Sequence, residues 1–123
     1  MGRAGGFRTV VAEDYVPQRG DIVWLDFDPQ TGREQAGRRP ALALSDSRYH
    51  RLTGRGVFCP ITSKAKGYPF EVPLATQGIS GVILADHVKN LDWRARHAEP
   101  SGARIDDDTL RKVLALIQLL TGI

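Results

Sequence analysis

Between Glu34 and Arg39 the chain sets a carboxylate, an amide and two guanidinium groups in one short run, Glu34-Gln35-Ala36-Gly37-Arg38-Arg39. That set suits chemistry at phosphate. Cleavage of RNA by its own 2′-hydroxyl needs a group that takes the 2′ proton, a cation or donor that steadies the extra charge on phosphorus, and help for the departing 5′ oxygen. Arginine fits the second role, because its planar fork is always charged and matches phosphate oxygens in a bidentate way. Glu34 has the chemistry of a base. A guanidinium, with a pKa above about 12, is a poor one unless its site tunes it strongly. Thr62 offers a hydroxyl that can donate to a phosphate oxygen. Each also has an ordinary reading: Arg38 and Arg39 as a basic surface loop, Glu34 as a surface charge, Thr62 as a strand residue bonded locally.

Other chemistries find little support. The sequence holds no Walker loop, dinucleotide fingerprint or HExxH motif. His50, His87 and His97 are too scattered to suggest a two-histidine nuclease pair. A lone Cys59 gives neither a disulfide framework nor a thiolate metal cluster. No metal or cofactor is expected.

The elements that must position these residues are mostly strands. Gly20-Asp21 signals a turn, and Ile22 to Phe27 reads as a strand that Asp28-Pro29 stops. The segment from there to Arg39 has no periodicity and exceeds the usual hairpin loop of about 2–5 residues, as functional loops often do. Ala41–Ser45, Gly56–Ile61, Phe70–Leu74 and Gly81–Val88 are further strand candidates, with Lys89 placed on the last of them. At the end of the chain the period changes. Asp106 to Asp108 suit a helix N-terminus, Leu110, Val113, Leu114, Ile117 and Leu120 recur at helical spacing, and Gly122 is placed to cap. That stripe, widened by Leu116 and Leu119, reads as core-facing, with a second use at a dimer surface left open. Short strands followed by one helix predict a mainly β fold, a small SH3-like antiparallel barrel with a C-terminal helix.

Length and composition agree with one domain. The chain has 123 residues, 41% apolar and 25% charged, values usual for a globular protein. Residues 1–14 read as a flexible leader without the apolar run of a signal peptide, and residues 15–123 as a single domain in a cytoplasmic protein with no membrane segment. A formal charge of +3 and a pI near 9.4 lean toward a polyanionic partner. Arg33, Arg38 and Arg39 crowd one loop, Arg48, Arg51 and Arg55 the next, and Arg94 and Arg96 lie near a strand end. Solvated surface is the plain alternative for all three groups. Trp24, Phe27, Phe70 and Trp93 are expected in the core, whereas Tyr68, between Gly67 and Pro69, is the ring expected outside.

Longer stretches carry a resemblance. Tyr15-Val16-Pro17, the run Gly20 to Pro29, Gly32, Glu34-Gln35-Ala36-Gly37 and Arg39-Pro40-Ala41 resemble the opening of the MazF/PemK toxin family. The likeness continues through Pro60-Ile61-Thr62, Lys66 to Val72, and Asp86 to Arg96 with its Trp93-Arg94-Ala95-Arg96 ending. It covers about residues 15–122. The combination of the Glu-Gln-x-Gly-x-Arg-Pro loop and the Pro-Ile-Thr strand end is specific, whereas either alone would be weak.

The resemblance implies a homodimer of SH3-like barrels that cuts single-stranded mRNA at specific sequences without a metal, as the toxin of a toxin–antitoxin pair. By the same resemblance Arg39 and Thr62 are the catalytic pair, with Glu34 a further candidate, and the products are a 2′,3′-cyclic phosphate and a 5′-hydroxyl. A cognate MazE-like antitoxin is expected to lay an acidic segment across the RNA groove. Backbone contacts are expected from Arg38, Lys64, Lys66, Lys89, Arg94 and Arg96, and stacking from Tyr68 or Trp93. His87 stands where family members carry Gln, which adds a titratable group if it faces the groove. Two rivals share the outline. A CcdB-like gyrase poison would use a Trp-Gly-Ile tail, where this chain has Thr121-Gly122-Ile123. A non-catalytic RNA-binding module would keep the basic groove without needing Thr62.

Overall fold

Asp21–Asp26 forms strand β1, and alternation sends Ile22 to one face and Val23 and Leu25 to the other, all three fully buried. The computed structural model describes residues 15–27 and 37–122. Among them β1 is followed by β2 (Arg38–Ala43), helix α1 (Ser47–Thr53), β3 (Arg55–Thr62), β4 (Glu71–Thr76), β5 (Ile79–Leu84), β6 (Lys89–Asp92), β7 (Glu99–Arg104) and helix α2 (Asp107–Thr121). The strands run β4-β5-β3-β2-β1-β7 in one curled antiparallel sheet, and β6 adds to β3. The curled antiparallel sheet and the C-terminal helix agree with the expected small SH3-like barrel, here open as a half-barrel.

Both faces of the central strands are covered. Ile22, Leu42, Cys59, Ile61 and Ile83 pack on one side with Val113 of α2. Val23, Leu25, Ala41, Ala43 and Phe58 pack on the other, under Phe27, Leu91 and Trp93. Helix α2 starts after Asp106 and ends at Gly122, whose left-handed backbone (φ +79°) returns its N–H to the carbonyls of Gln118 and Leu119. Only part of its stripe is core. Val113 is buried with Leu110, Leu116 and Ile117 packed around it, while Leu114, Leu119 and Leu120 remain exposed.

Several expectations need correction. Residues 47–53 form α1, capped by the Asp46 carboxylate on the Arg48 amide and by left-handed Gly54. With one buried side chain, His50, this helix shows no apolar period. Lys89 does not lie on the fifth strand. That strand ends at Leu84, a single 3₁₀ turn (Ala85–His87) follows, and Lys89 opens β6. The last strand, β7, contains Pro100 and Gly102 and pairs β1 across a bulge between Ile22 and Val23, a composition that reads as loop. Trp24, expected in the core, is 38% exposed, and Phe70 is half-buried.

Buried His50 ties four segments together. Its Nδ1 lies 2.6 Å from the Pro17 carbonyl, which can only accept, so Nδ1 carries the proton. Nε2 lies 2.6 Å from Ser45 Oγ, and that oxygen accepts the Val57 amide at 2.8 Å. The ring stacks on Phe58, and the His50 carbonyl takes the Trp93 indole N–H at 3.2 Å. Gly56 leaves room for it: a Cβ there would stand 2.6 Å from His50 Cδ2. His50→Leu fills similar space but strands the Ser45 hydroxyl and the Pro17 carbonyl. It should cost about 2–3 kcal/mol, read as a lower urea midpoint at unchanged slope.

Candidate active site

The pairing of β2 with β3 brings the two central candidates together. The ladder sets Ala41 opposite Pro60 and Leu42 opposite Cys59. Carried two residues past its last pair, the same register puts Arg39 across from Thr62, on one face by strand alternation. Both side chains, with Lys64, line two adjoining depressions. The larger, about 570 Å³, is walled by Trp24, Pro40, Ile61 and the β4–β5 turn at Gly78 and Ile79. The smaller, about 240 Å³, is walled by Lys66, Tyr68, Glu71, Leu84, Asp86 and His87. Arg39, Thr62 and Lys64 therefore form the ridge between them.

Local structure prepares that ridge. Thr62 Oγ1 accepts the Lys64 amide at 3.2 Å, which leaves its own proton for a further acceptor. Strand β5 crowds close behind. A Cβ on Gly81 would stand 2.2 Å from the Thr62 carbonyl oxygen, and Gly81 has φ +137°. Glu71 organises the other side. Its carboxylate accepts the Lys66 amide at 3.0 and 3.1 Å and the Gly67 amide at 2.9 Å, next to Tyr68, a residue 59% exposed. Reasoning from residue types missed Glu71 as a site residue, although its place at the head of β4 beside a Gly-Tyr-Pro turn was a usable signal.

The remaining candidates separate into groups. Lys64, Lys66, Tyr68 and His87 join Arg39 and Thr62 around the depressions, with His87 Nε2 3.8 Å from the Asp86 carboxylate. Arg38 borders the larger depression, but its guanidinium is held by Asp26 at 3.0 Å, Glu99 at 2.5 Å and the His97 carbonyl at 2.9 Å. Arg96 donates to the carbonyls of Asp26 and Phe27 at 3.0 and 2.8 Å. Lys89 sits over the Phe27 ring. Arg94 stacks on Trp93 beside Gly54, away from both depressions. Glu34 lies outside the described residues. Among the described residues no three His, Cys, Asp or Glu side chains gather as a metal site. Burial pushes the Cys59 thiol up to about 12, helped by the Asp86 charge, so it is no nucleophile.

Residues 18–121 match the PemK-like, MazF-like toxins of type II toxin–antitoxin systems. The endoribonuclease toxin MazF of Escherichia coli K12 is 48% identical over 108 residues, 88% of this chain and 96% of that protein. The chain belongs to this toxin family. Among solved structures, MazF from Deinococcus radiodurans superposes with a TM-score of 0.81 at 53% identity, covering 89% of this chain and all of that one. A MazE–MazF complex from the same organism gives 0.79 at 49% identity, covering 89% and 99%. No described helix of this family member is long and apolar enough to cross a membrane.

The two glycines near the ridge make a checkable contrast. Gly81→Ala forces a methyl into a backbone carbonyl and should cost at least about 3 kcal/mol, because neither strand can yield without breaking the ladder. Gly78→Ala, at φ +86° with nothing within 4 Å, should cost only about 1 kcal/mol of backbone strain. Chemical denaturation of both variants tests the order.

Proposed function

We propose that this chain is a sequence-specific, metal-independent endoribonuclease that cuts single-stranded mRNA in the cytoplasm and so inhibits translation and growth. The observation that carries the reading is the ridge: an arginine and a threonine hydroxyl side by side, flanked by lysines, between two depressions of nucleotide size. RNA threaded over it would place one nucleotide on each side and the scissile phosphate at Arg39 and Thr62. The 2′-oxygen attacks phosphorus, the P–O5′ bond breaks, and the products are a 2′,3′-cyclic phosphate and a 5′-hydroxyl.

Arg39 stabilises the charge that builds on the non-bridging oxygens, where an oriented fork is worth more than in water, and Thr62 donates its hydroxyl proton to one of them. The 2′ proton goes to a base, for which Glu34 is the candidate, and the 5′ oxygen takes a proton from solvent as it leaves. Lys64 and Lys66 follow the backbone, and Tyr68 offers a stacking face in the smaller depression, where Asp86 and His87 can meet a base edge. Lys89, Arg94 and Arg96 would meet more distant phosphates only on a longer RNA.

The proposed partners are a second copy of the chain and a cognate MazE-like antitoxin. The exposed Leu114, Leu119 and Leu120 of α2 supply apolar surface consistent with a dimer. An acidic antitoxin segment would find the same lysines and Arg39 that RNA uses, so the two should compete.

Arg39→Ala should lower cleavage of a single-stranded RNA by at least about a thousandfold while the fold and much of the RNA binding survive, since one oriented donor commonly carries a factor of that order. Unchanged cleavage would remove Arg39 from the chemistry, and binding without any cleavage by the wild-type protein would favour the RNA-binding module. A 2′-deoxyribose on the 5′ side of the scissile bond should abolish the cut, and excess EDTA should leave the rate unchanged. Cleavage of the deoxy substrate would exclude 2′-hydroxyl attack, and loss of activity in EDTA would exclude the metal-free reaction.

A further inference from the structure

Arg38 and Arg39 are neighbours on β2 whose side chains meet different surroundings. The β1–β2 ladder pairs Asp26 with Arg38 and Leu25 with Arg39. On the other edge of β2 the ladder pairs residues 41–43 with 58–60, so the backbone at Arg39 is secured by β1 rather than by β3. Any force that fixes the first residues of β2 against β1 therefore also fixes Arg39.

Such a force is concentrated there. Arg38 donates one nitrogen to Asp26 Oδ1 at 3.0 Å and the other to Glu99 of β7 and to the His97 carbonyl. The second oxygen of Asp26 faces His97 Nδ1 at 2.9 Å. Arg96 closes the set from behind: its amide donates to the Asp92 carbonyl, its own carbonyl accepts the Asp26 amide at 3.0 Å, and its guanidinium holds the carbonyls of Asp26 and Phe27. Phe27 N–H then bonds the Gly37 carbonyl at 2.6 Å, next to Arg38. His97 keeps a left-handed backbone, φ +58°, which costs a non-glycine residue about 1–2 kcal/mol and persists where surroundings over-determine it. The His97 hydrogen bond and the Arg38 pair hold the Asp26 carboxyl below the usual carboxylate range.

We infer that Asp26, Arg38, Glu99 and His97 form a positioning cluster that locks the start of β2 and thereby aims Arg39 at the scissile phosphate, and that Arg38 acts through this cluster rather than by holding RNA. The inference rests on the nuclease reading above. Stability does not explain the cluster. Pairs this accessible contribute about 0–1 kcal/mol each, with Glu99 60% and His97 75% exposed at the side chain. Aim is another matter, since a displacement of about 1 Å can cost a hundredfold in rate.

Charge gives a test with opposite signs. Asp26→Asn and Glu99→Gln each remove a negative charge beside an RNA groove. If the cluster only set the local potential, both variants would bind RNA more tightly and cut at least as fast. Positioning requires kcat to fall, roughly 10- to 100-fold for Asp26→Asn and several-fold for the surface variant Glu99→Gln, with KM within about twofold of wild type. Arg38→Lys keeps the charge but loses the fork, and its kcat should fall as well. Binding of a 2′-deoxy-blocked oligonucleotide should keep its salt dependence in Arg38→Ala, whereas loss of one phosphate contact would lower the slope by about 0.7. Thermal melting checks the fold of each variant, and Glu99→Gln, exposed and isosteric, stays informative if Asp26→Asn unfolds. Wild-type rates in Glu99→Gln and Arg38→Lys, or a reduced salt slope in Arg38→Ala, would overturn the inference while the nuclease stands. A wild-type protein that cuts no RNA would remove both.

Discussion

Strand β3 has two edges and three neighbours, and the rest of the molecule is arranged around that constraint. Strand β2 takes one edge at residues 58–60. The other edge is divided, with β6 along residues 55–58 and β5 along Ile61 and Thr62. A buried backbone amide or carbonyl left without a partner is costly, so the handover from β6 to β5 has to be tight. Gly81 makes it possible, because only a residue without Cβ can bring β5 so close to the Thr62 carbonyl. Thr62 is thus the last residue of a strand held from both sides, and its hydroxyl emerges at the rim where the sheet curls away. The candidate site sits at a strand end for that reason.

Its rim also sorts the basic residues. A net charge of +3 suggests a surface broadly attractive to RNA, yet many of the arginines have structural work. Arg104 pairs with Asp21, Arg38 with Asp26 and Glu99, Arg96 caps carbonyls at the end of β1, and Arg94 lies flat on Trp93. Besides Arg38, the basic residues that line the depressions are Arg39, Lys64 and Lys66, with Tyr68 as an exposed ring. A field focused by few cations between low walls favours one path for a strand over non-specific adhesion. The Asp86–His87 pair in the smaller depression adds acceptors as well as charge, which suits reading a base edge.

Rigidity is supplied from the opposite end of the sheet. His50 locks residues 17, 45 and 57 into one hydrogen-bonded chain beneath Trp93, so the strands that carry the site converge on a fixed base. Helix α2 closes one side of the barrel through Val113 and leaves outward leucines for a second surface.

From composition and pattern alone, several features were already legible: the β-rich class, strands β1 to β5 to within a few residues, and the C-terminal helix with its ends at Asp106 and Gly122, whereas Arg38 and Arg39, expected in a loop, open β2. The legible features are written in local periodicity or side-chain chemistry. The family likeness added the expectation that Arg39 and Thr62 act together. Neither source could reveal α1, β6 or β7, because a seven-residue helix with one buried side chain and strands such as Lys89–Asp92 and Glu99–Arg104 have no apolar rhythm and exist by pairing with neighbours. Trp24 looked like core because aromatic strand residues usually are, but its side chain walls the open larger depression. Only folding could decide which charges meet. Adjacent arginines are equivalent as letters, whereas the pleat and the β1–β7 pairing bring Arg38 to Asp26 and Glu99 and put Arg39 beside the depressions with Thr62.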